Sequence, residues 1–269
     1  MPRLAVFWLL HAAAAAVFVA GCGLRVSVWL QGSVEGRTAP GLPAALRAAW
    51  RLVRRAGPRR ALSALFVDGL LHRRLLAAGR GRWFAHACLL GGFAAMFALS
   101  LLTGFCTEVL VGLLGVHHPL VLAIVAKDTP AMALANETLG LVMLAGMALV
   151  AGRRYLVRPA QLRTAAPDTA LVLLLGATLV SGYPVEALRL IAEGVPAHVG
   201  WYSYIGYALS LPLRGLAWPW PALHDAAFFF HTTVASAFFA YVPFSKFFHA
   251  LVSPLVATAN RLRREVEPA

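Results

Sequence analysis

The stretch 231-HTTVASAFFAYVPFSKFFHALVSP-254 decides how this chain is read. It is apolar enough to lie in a membrane, yet it carries two histidines, His231 and His249, eighteen residues apart. In a continuous α-helix that interval is five turns, so both imidazoles leave one face, separated by about 27 Å. The hydrocarbon core of a bilayer is about 30 Å thick. Such a helix offers a nitrogen donor near each membrane surface. Neutral imidazole is an axial ligand for haem iron, so the pattern points to electron transfer between two levels of a membrane.

Composition supports a membrane setting. Of the 269 residues 60% are hydrophobic and only 13% charged, which is unlike an ordinary soluble domain. The net charge of +13 would suggest a nucleic-acid or lipid partner if the basic residues were spread evenly. They are instead gathered in particular connections, the signature of membrane orientation, and no nucleic-acid partner is expected. Cys22, Cys88 and Cys106 stand alone with no C-x-x-C spacing. An iron–sulfur cluster, a structural zinc site or a disulfide framework within the chain is therefore not expected.

Working outward, the apolar runs predict an all-α, integral membrane five-helix bundle. The first span covers about Leu4 to Leu30. Its 19-VAGC-22 resembles a lipoprotein-type cleavage site, but the apolar run is too long for a signal core of about 7–15 residues, so an uncleaved span is expected. The second is about Trp83 to Phe105, the third Ala131 to Ala151, the fourth Thr169 to Leu190, and the fifth Ala226 to Pro254, bent at Pro243. This divides the chain into a first transmembrane helix (1–31), a basic amphipathic connection (32–82), a four-helix haem-binding domain (83–260) and a tail (261–269). Within the connection, 43-PAALRAAWRLVRRAG-57 reads as an amphipathic helix on anionic lipid, and 61-ALSALFVDGLLHRRLL-76 as a second amphipathic piece. His72 reads as a solvated neighbour of Arg73 and Arg74.

Charge sets the topology. The connections 32–82 and 152–168 and the tail carry eleven, four and three arginines. The opposite connections, 106–130 and 186–225, carry Lys127, Arg189 and Arg214 against five acids. The positive-inside rule then places the N-terminus outside and the C-terminus in the cytoplasm. A sixth span at 109-VLVGLLGVHHPLVLAIVA-126 would throw the Arg153–Arg163 cluster outside, so 106–130 is expected to be an outer loop with a partly inserted segment.

In this topology spans two and five are antiparallel. His86 opens the one and His249 closes the other on the cytoplasmic side, so the two are expected to hold one iron. His231 lies in the outer half of span five. Met96, ten residues beyond His86 and so about 15 Å deeper, is the best-placed second donor; His117, His118 and His224 are substitutes. A methionine in an apolar helix is also ordinary packing. Lys246 reads equally as a partner for a haem propionate or as an interfacial lysine. Gly91 and Gly92 suit either a porphyrin plane or close helix packing. Glu186 and Arg189 are spaced as a helix ion pair. Glu137, the acid nearest the outer boundary, is placed to take protons from quinol or to be a charged residue with no chemical role. A non-redox transporter or scaffold is the rival reading, although no inverted repeat or broken helix is evident.

The segments 231-H…YVPFSKFFHALVSP-254 and 82-RWFAHACLLGGF-93 resemble the two ligand-bearing helices of the respiratory nitrate reductase gamma subunit. The segments 153-RRYLVRP-159 and 180-VSGYPVEALRL-190 are similar to the membrane cytochromes of heterodisulfide reductase and of the sulfite-reduction-associated complex. The resemblance implies a b-type cytochrome subunit of a quinone-linked oxidoreductase complex in the bacterial cytoplasmic membrane. It would carry one or two haem b groups and exchange electrons between quinone and a cytoplasmic iron–sulfur subunit of heterodisulfide reductase D or nitrate reductase beta type. Where that family has a further histidine, this chain has Met96.

Overall fold

Regular structure in this chain is almost entirely helical, as an apolar backbone in lipid requires: each N–H and C=O must be satisfied inside its own segment. The computed structural model describes residues 2–31, 33–34, 37–38, 41–160 and 164–266. Glu35, Arg163 and the last three residues of the tail lie outside the described residues, as do the side chains of Arg3, Arg37 and Leu251. The helices are α1 (Pro2–Trp29), α2 (Gly41–Ala56), α3 (Pro58–Ala64), α4 (Arg73–Ala78), α5 (Arg80–His86), α6 (Gly92–Gly104), α7 (Pro119–Val125), α8 (Pro130–Ala151), α9 (Ala166–Ala192), α10 (Ala197–Gly200), α11 (Tyr204–Ser210), α12 (Trp220–Tyr241) and α13 (Phe248–Val266). Four π-helical segments, Leu65–Leu70, Ala87–Gly91, Phe105–Leu113 and Gly152–Val157, continue or join them. The one sheet among the described residues is a two-residue antiparallel ladder, Ser33–Val34 with Arg37–Thr38.

Five helical stretches are long and apolar enough to cross a membrane: Ala5–Trp29, Arg80–Leu113, Pro119–Val157, Ala166–Ala192 and Trp220–Phe244. The five-helix membrane fold is thus as expected, with two differences. Span two does not stop at Phe105. Its helix continues to Leu113, where Gly115 at φ 64° turns the chain and the Val116 N–H reaches back to the Leu110 carbonyl. A glycine accepts that left-handed backbone at no steric cost. At 34 residues the stretch rises about 51 Å, more than the apolar core needs. The expected loop 106–130 is therefore half helix, and α7 folds back against its end.

The second difference corrects the opening geometry. The last span is broken, not bent. Pro243 lacks an N–H and its ring crowds the preceding turn, so α12 ends at Tyr241 and a 3₁₀ turn covers Val242–Phe244. Ser245 is extended, at φ −108° and ψ 172°, and its Oγ accepts the Phe247 N–H at 3.1 Å just before α13 begins. His231 and His249 lie on separate helices, so five turns of one helix do not relate them.

The chain forms two compact units. The first comprises Met1–Phe84, Ala165–Leu171 and Ser236–Ala269. Here the expected amphipathic segment is α2, with its arginines along one side and Trp50 exposed. Ala56, Ala64 and Leu262 make a small core that joins α2 and α3 to α13. Gly69 lets the Leu65–Leu70 segment cross α13 closely: a Cβ there would lie 3.0 Å from the Pro254 carbonyl oxygen. Arg261 donates to Asp68 and Glu265, each at 2.9 Å, beside a cleft of about 420 Å³ lined also by Arg73, Arg74 and Arg264. Hydrogen bonds to Glu265 and Asp68 raise the Arg261 guanidinium above its ordinary pKa, so these contacts lose their cation only at extreme alkaline pH. α1 clasps the break in the last span: Phe18 stacks on Phe239, and Arg25 Nε donates to the Pro243 carbonyl at 2.9 Å.

The second unit comprises Ala85–Thr164 and Val172–Ala235. Its centre is the crossing of α8 with the Ala87–Gly91 segment and α6. A Cβ on Gly146 would lie 2.6 Å from the Leu89 nitrogen, and one on Gly92 would lie 2.6 Å from Met143 Cγ. Those glycines are what let the backbones approach. α8 starts at Pro130 and its helical continuation ends at Arg158, in left-handed conformation before Pro159.

Candidate functional site

A histidine that binds iron through Nε2 needs a lone pair there, so its proton must sit on Nδ1 with something to accept it. His231 meets this condition. It is half-buried on α12, and Ser181 Oγ on α9 lies 2.9 Å from its Nδ1. The same hydroxyl donates to the Thr178 carbonyl at 3.2 Å. With its proton spent there, Ser181 accepts from His231 Nδ1–H, and Nε2 keeps its lone pair. Gly182 beside it has no side chain to crowd the ring: its Cβ position is 3.5 Å from His231 Cε1.

His249, at the start of α13, is exposed, and its Nδ1 is held by the Lys246 carbonyl. A carbonyl only accepts, so this ring too has its proton on Nδ1 and its lone pair on Nε2. His86 is half-buried at the last position of α5, where the helix widens into the Ala87–Gly91 segment. The substitutes differ. His118 Nδ1 accepts the Leu120 N–H at 3.3 Å as the N-cap of α7, which puts the proton of the neutral ring on Nε2. His117 Nδ1 meets the Gly115 carbonyl at 2.8 Å, and His224 packs against Phe228. His72 Nδ1 meets the Leu70 carbonyl at 2.9 Å. The donor set of His231 and His249 therefore fits a b-type haem by tautomer. No group of three or more metal-binding side chains occurs among the described residues; an axial haem ligand acts singly or in a pair and needs no such group.

Met96 is half-buried on α6, and its methyl lies 4.0 Å from the Cβ position of Gly140 on α8. The Tyr183 hydroxyl reaches the same position at 3.1 Å. Residues 181–183 of α9 thus touch His231 on one side and meet Met96 at Gly140 on the other. Of the paired glycines, Gly92 is filled by Met143, whereas Gly91 has nothing within 4 Å. Lys246 Nζ binds Asp168 at 2.8 Å; Asp168 is buried and also accepts the Ala165 N–H ahead of α9.

The acids near α8 are more tightly organised than sequence suggests. The spaced pair Glu186–Arg189 is present and bidentate, at 2.9 and 3.0 Å. Arg189 also binds Glu193 and Asp128, each at 2.7 Å, so one buried guanidinium faces three carboxylates. Glu137, 4% exposed, accepts the Gly206 N–H at 3.1 Å through Oε1. Its Oε2 and the Tyr183 hydroxyl are buried without a hydrogen-bond partner among the described residues. Ser181, Asp128, Glu193 and Gly206 are not evident from sequence. Their partners are 50 or more residues away for three of the four contacts, and only the segment 180-VSGYPVEALRL-190 flagged the neighbourhood.

Comparison with known proteins adds to this geometry. The nitrate reductase gamma subunit family matches residues 94–262, a stretch that holds Met96, His231, Lys246 and His249 and starts after His86. A membrane-complex relative, one subunit of the dihydromethanophenazine:CoB–CoM heterodisulfide reductase of Methanosarcina mazei, is 29% identical over 203 residues, covering 74% of this chain and 68% of its own length. Its counterpart in Methanosarcina thermophila is 24% identical over 273 residues, covering 94% and 90%. The EtfAB:quinone oxidoreductase of Syntrophomonas wolfei is 30% identical over 149 residues, which is 49% of this chain and 19% of that protein. No solved structure matches. Five apolar helices and a family match over more than half of the chain lead to one conclusion: it belongs to the nitrate reductase gamma subunit family and is a multi-pass membrane protein.

Proposed function

We propose that the chain is the b-type cytochrome subunit of a respiratory reductase-type complex, carrying electrons between a lipid-soluble quinone-class carrier and a cytoplasmic iron–sulfur subunit. The observation that carries this reading is the proton arrangement at His231, where Ser181 and Thr178 leave Nε2 with its lone pair to bind iron. Bound haem supplies a one-electron carrier; the protein sets its potential through ligand identity, the hydrogen bonds that hold those ligands, and burial. In this reading His86 and His249 ligate a haem on the cytoplasmic side, and His231 with Met96 a second on the outer side. Lys246, held by Asp168, keeps a positive charge three residues before His249. The relatives' names cite dihydromethanophenazine and quinone, and the quinone class is the one we assign here. The partner is a subunit of heterodisulfide reductase D or nitrate reductase beta type. The cell membrane is bacterial and cytoplasmic, with the N-terminus outside, as the arginine distribution expects.

A reduced-minus-oxidised optical spectrum of the purified protein tests this. The expected result is a b-type α-band, with pyridine haemochrome giving two haems per chain. A chain that binds no haem is a non-redox membrane protein, and the proposal fails.

A further inference from the structure

We infer that Glu137 and Tyr183 form the hydroxyl-binding and proton-accepting pair for the reduced carrier, and that the Arg189 carboxylates carry the proton away. This rests on the quinol reading of the proposed function and names the residues that act in it. A buried polar atom without a partner calls for an explanation, because most such atoms in folded proteins are satisfied. Here there are two, Glu137 Oε2 and the Tyr183 hydroxyl. Both lie against one face of α8. The Tyr183 hydroxyl is 3.1 Å from the Cβ position of Gly140, which is three residues, and so about one turn, beyond Glu137. One is an acceptor and the other a donor and acceptor, which is what a phenolic O–H requires: it gives its proton to the carboxylate and accepts from the tyrosine. Met96, proposed above as an iron ligand, reaches the same spot with its methyl. Proton acceptor and electron acceptor are thus neighbours.

The route out is graded. Gly206 is wedged between Glu137 Oε1 and the side chain of Glu186, its Cβ position 3.2 Å from the one and 2.6 Å from the Cγ of the other. Glu186 is bound to Arg189, which binds Asp128 and Glu193. Side-chain exposure rises from 26% at Glu186 to 42% at Asp128 and 52% at Glu193, whereas Glu137 is 4% exposed. In the proton step the quinol O–H bond breaks and a Glu137 Oε2–H bond forms, leaving the quinol monoanion. Its two electrons then pass singly to ferric haem, and the second proton follows the first.

Menadiol, a short naphthoquinol, is the probe, with the full chain in nanodiscs. The expected result is that Glu137→Gln and Tyr183→Phe each weaken menadiol binding about tenfold or more, with helix content and melting unchanged. In the wild type, infrared difference spectra show a carboxylic C=O band appearing on menadiol binding, and Glu137→Gln abolishes it. Equal binding by wild type and Glu137→Gln, or a band that survives the substitution, overturns the inference. If haem is present but binding ignores residue 137, the inference alone fails; if binding depends on residue 137 but no haem is found, the electron-transfer reading alone fails.

Discussion

Three histidines show how a single proton sorts ligand from cap. His231 gives its Nδ1 proton to Ser181, His249 gives its own to the Lys246 carbonyl, and His118 takes a proton at Nδ1 from Leu120. Only the first two keep a lone pair on Nε2. Groups that hold a ligating histidine through its other nitrogen typically govern metal affinity by about 10–100-fold. Ser181→Ala is therefore expected to lower the haem-to-protein ratio, measured by pyridine haemochrome, through loss of one haem, whereas Ser181→Thr retains it. An unchanged ratio in Ser181→Ala removes Ser181 from the ligand's support. The histidines themselves were readable because an ionisable side chain in an apolar run is costly and so conspicuous. Their partners were not. Ser181 is 50 residues from His231, and Asp128 is 61 from Arg189; nothing local in sequence encodes either contact.

At the scale of elements, the close crossing of α8 with span two depends on two glycines. The nearest atoms to a Cβ on Gly146 are the Leu89 nitrogen and the Ala85 oxygen, and backbone cannot rotate away as a side chain does. Overpacking of this kind costs about 1–3 kcal/mol or more. Gly146→Val is expected to lower the melting temperature clearly, while Gly91→Val, with open space at its Cβ, shifts it far less. Comparable losses in both would mean that intrinsic helix propensity, not the crossing, is being read. The spans were legible because hydrophobic length is a strong signal; the local winding was not. A π-helical segment closes each hydrogen bond one residue later than an α-helix. With Ala87–Gly91 lying between His86 and Met96, α-helical spacing misjudges which way Met96 faces. No pattern of apolar residues announces that change.

Across the whole molecule the main organising quantity is charge. Eighteen of the arginines fall in the three connections assigned to the cytoplasm. A fluorescent-protein reporter on the C-terminus is expected to be bright and a phosphatase reporter there inactive; the reverse pattern overturns the orientation. Replacing Arg153 and Arg154 with glutamate is expected to produce a mixed population in the same assay, because each charge near a span end weights insertion. The amphipathic α2 adds a second kind of anchorage, with Leu42, Leu46 and Trp50 exposed beside its arginines.

The interruption around Pro243 and Ser245 has a consequence for how the interval between His231 and His249 is counted. In an unbroken rod, adding one residue would swing everything downstream by about a hundred degrees. Here α12 has already stopped, α1 grips Pro243 through Arg25, and Ser245 starts a new helix with its own hydroxyl. The number eighteen is thus a length of chain laid across a joint, and each imidazole is aimed by its own helix's local fastening rather than by a shared pitch.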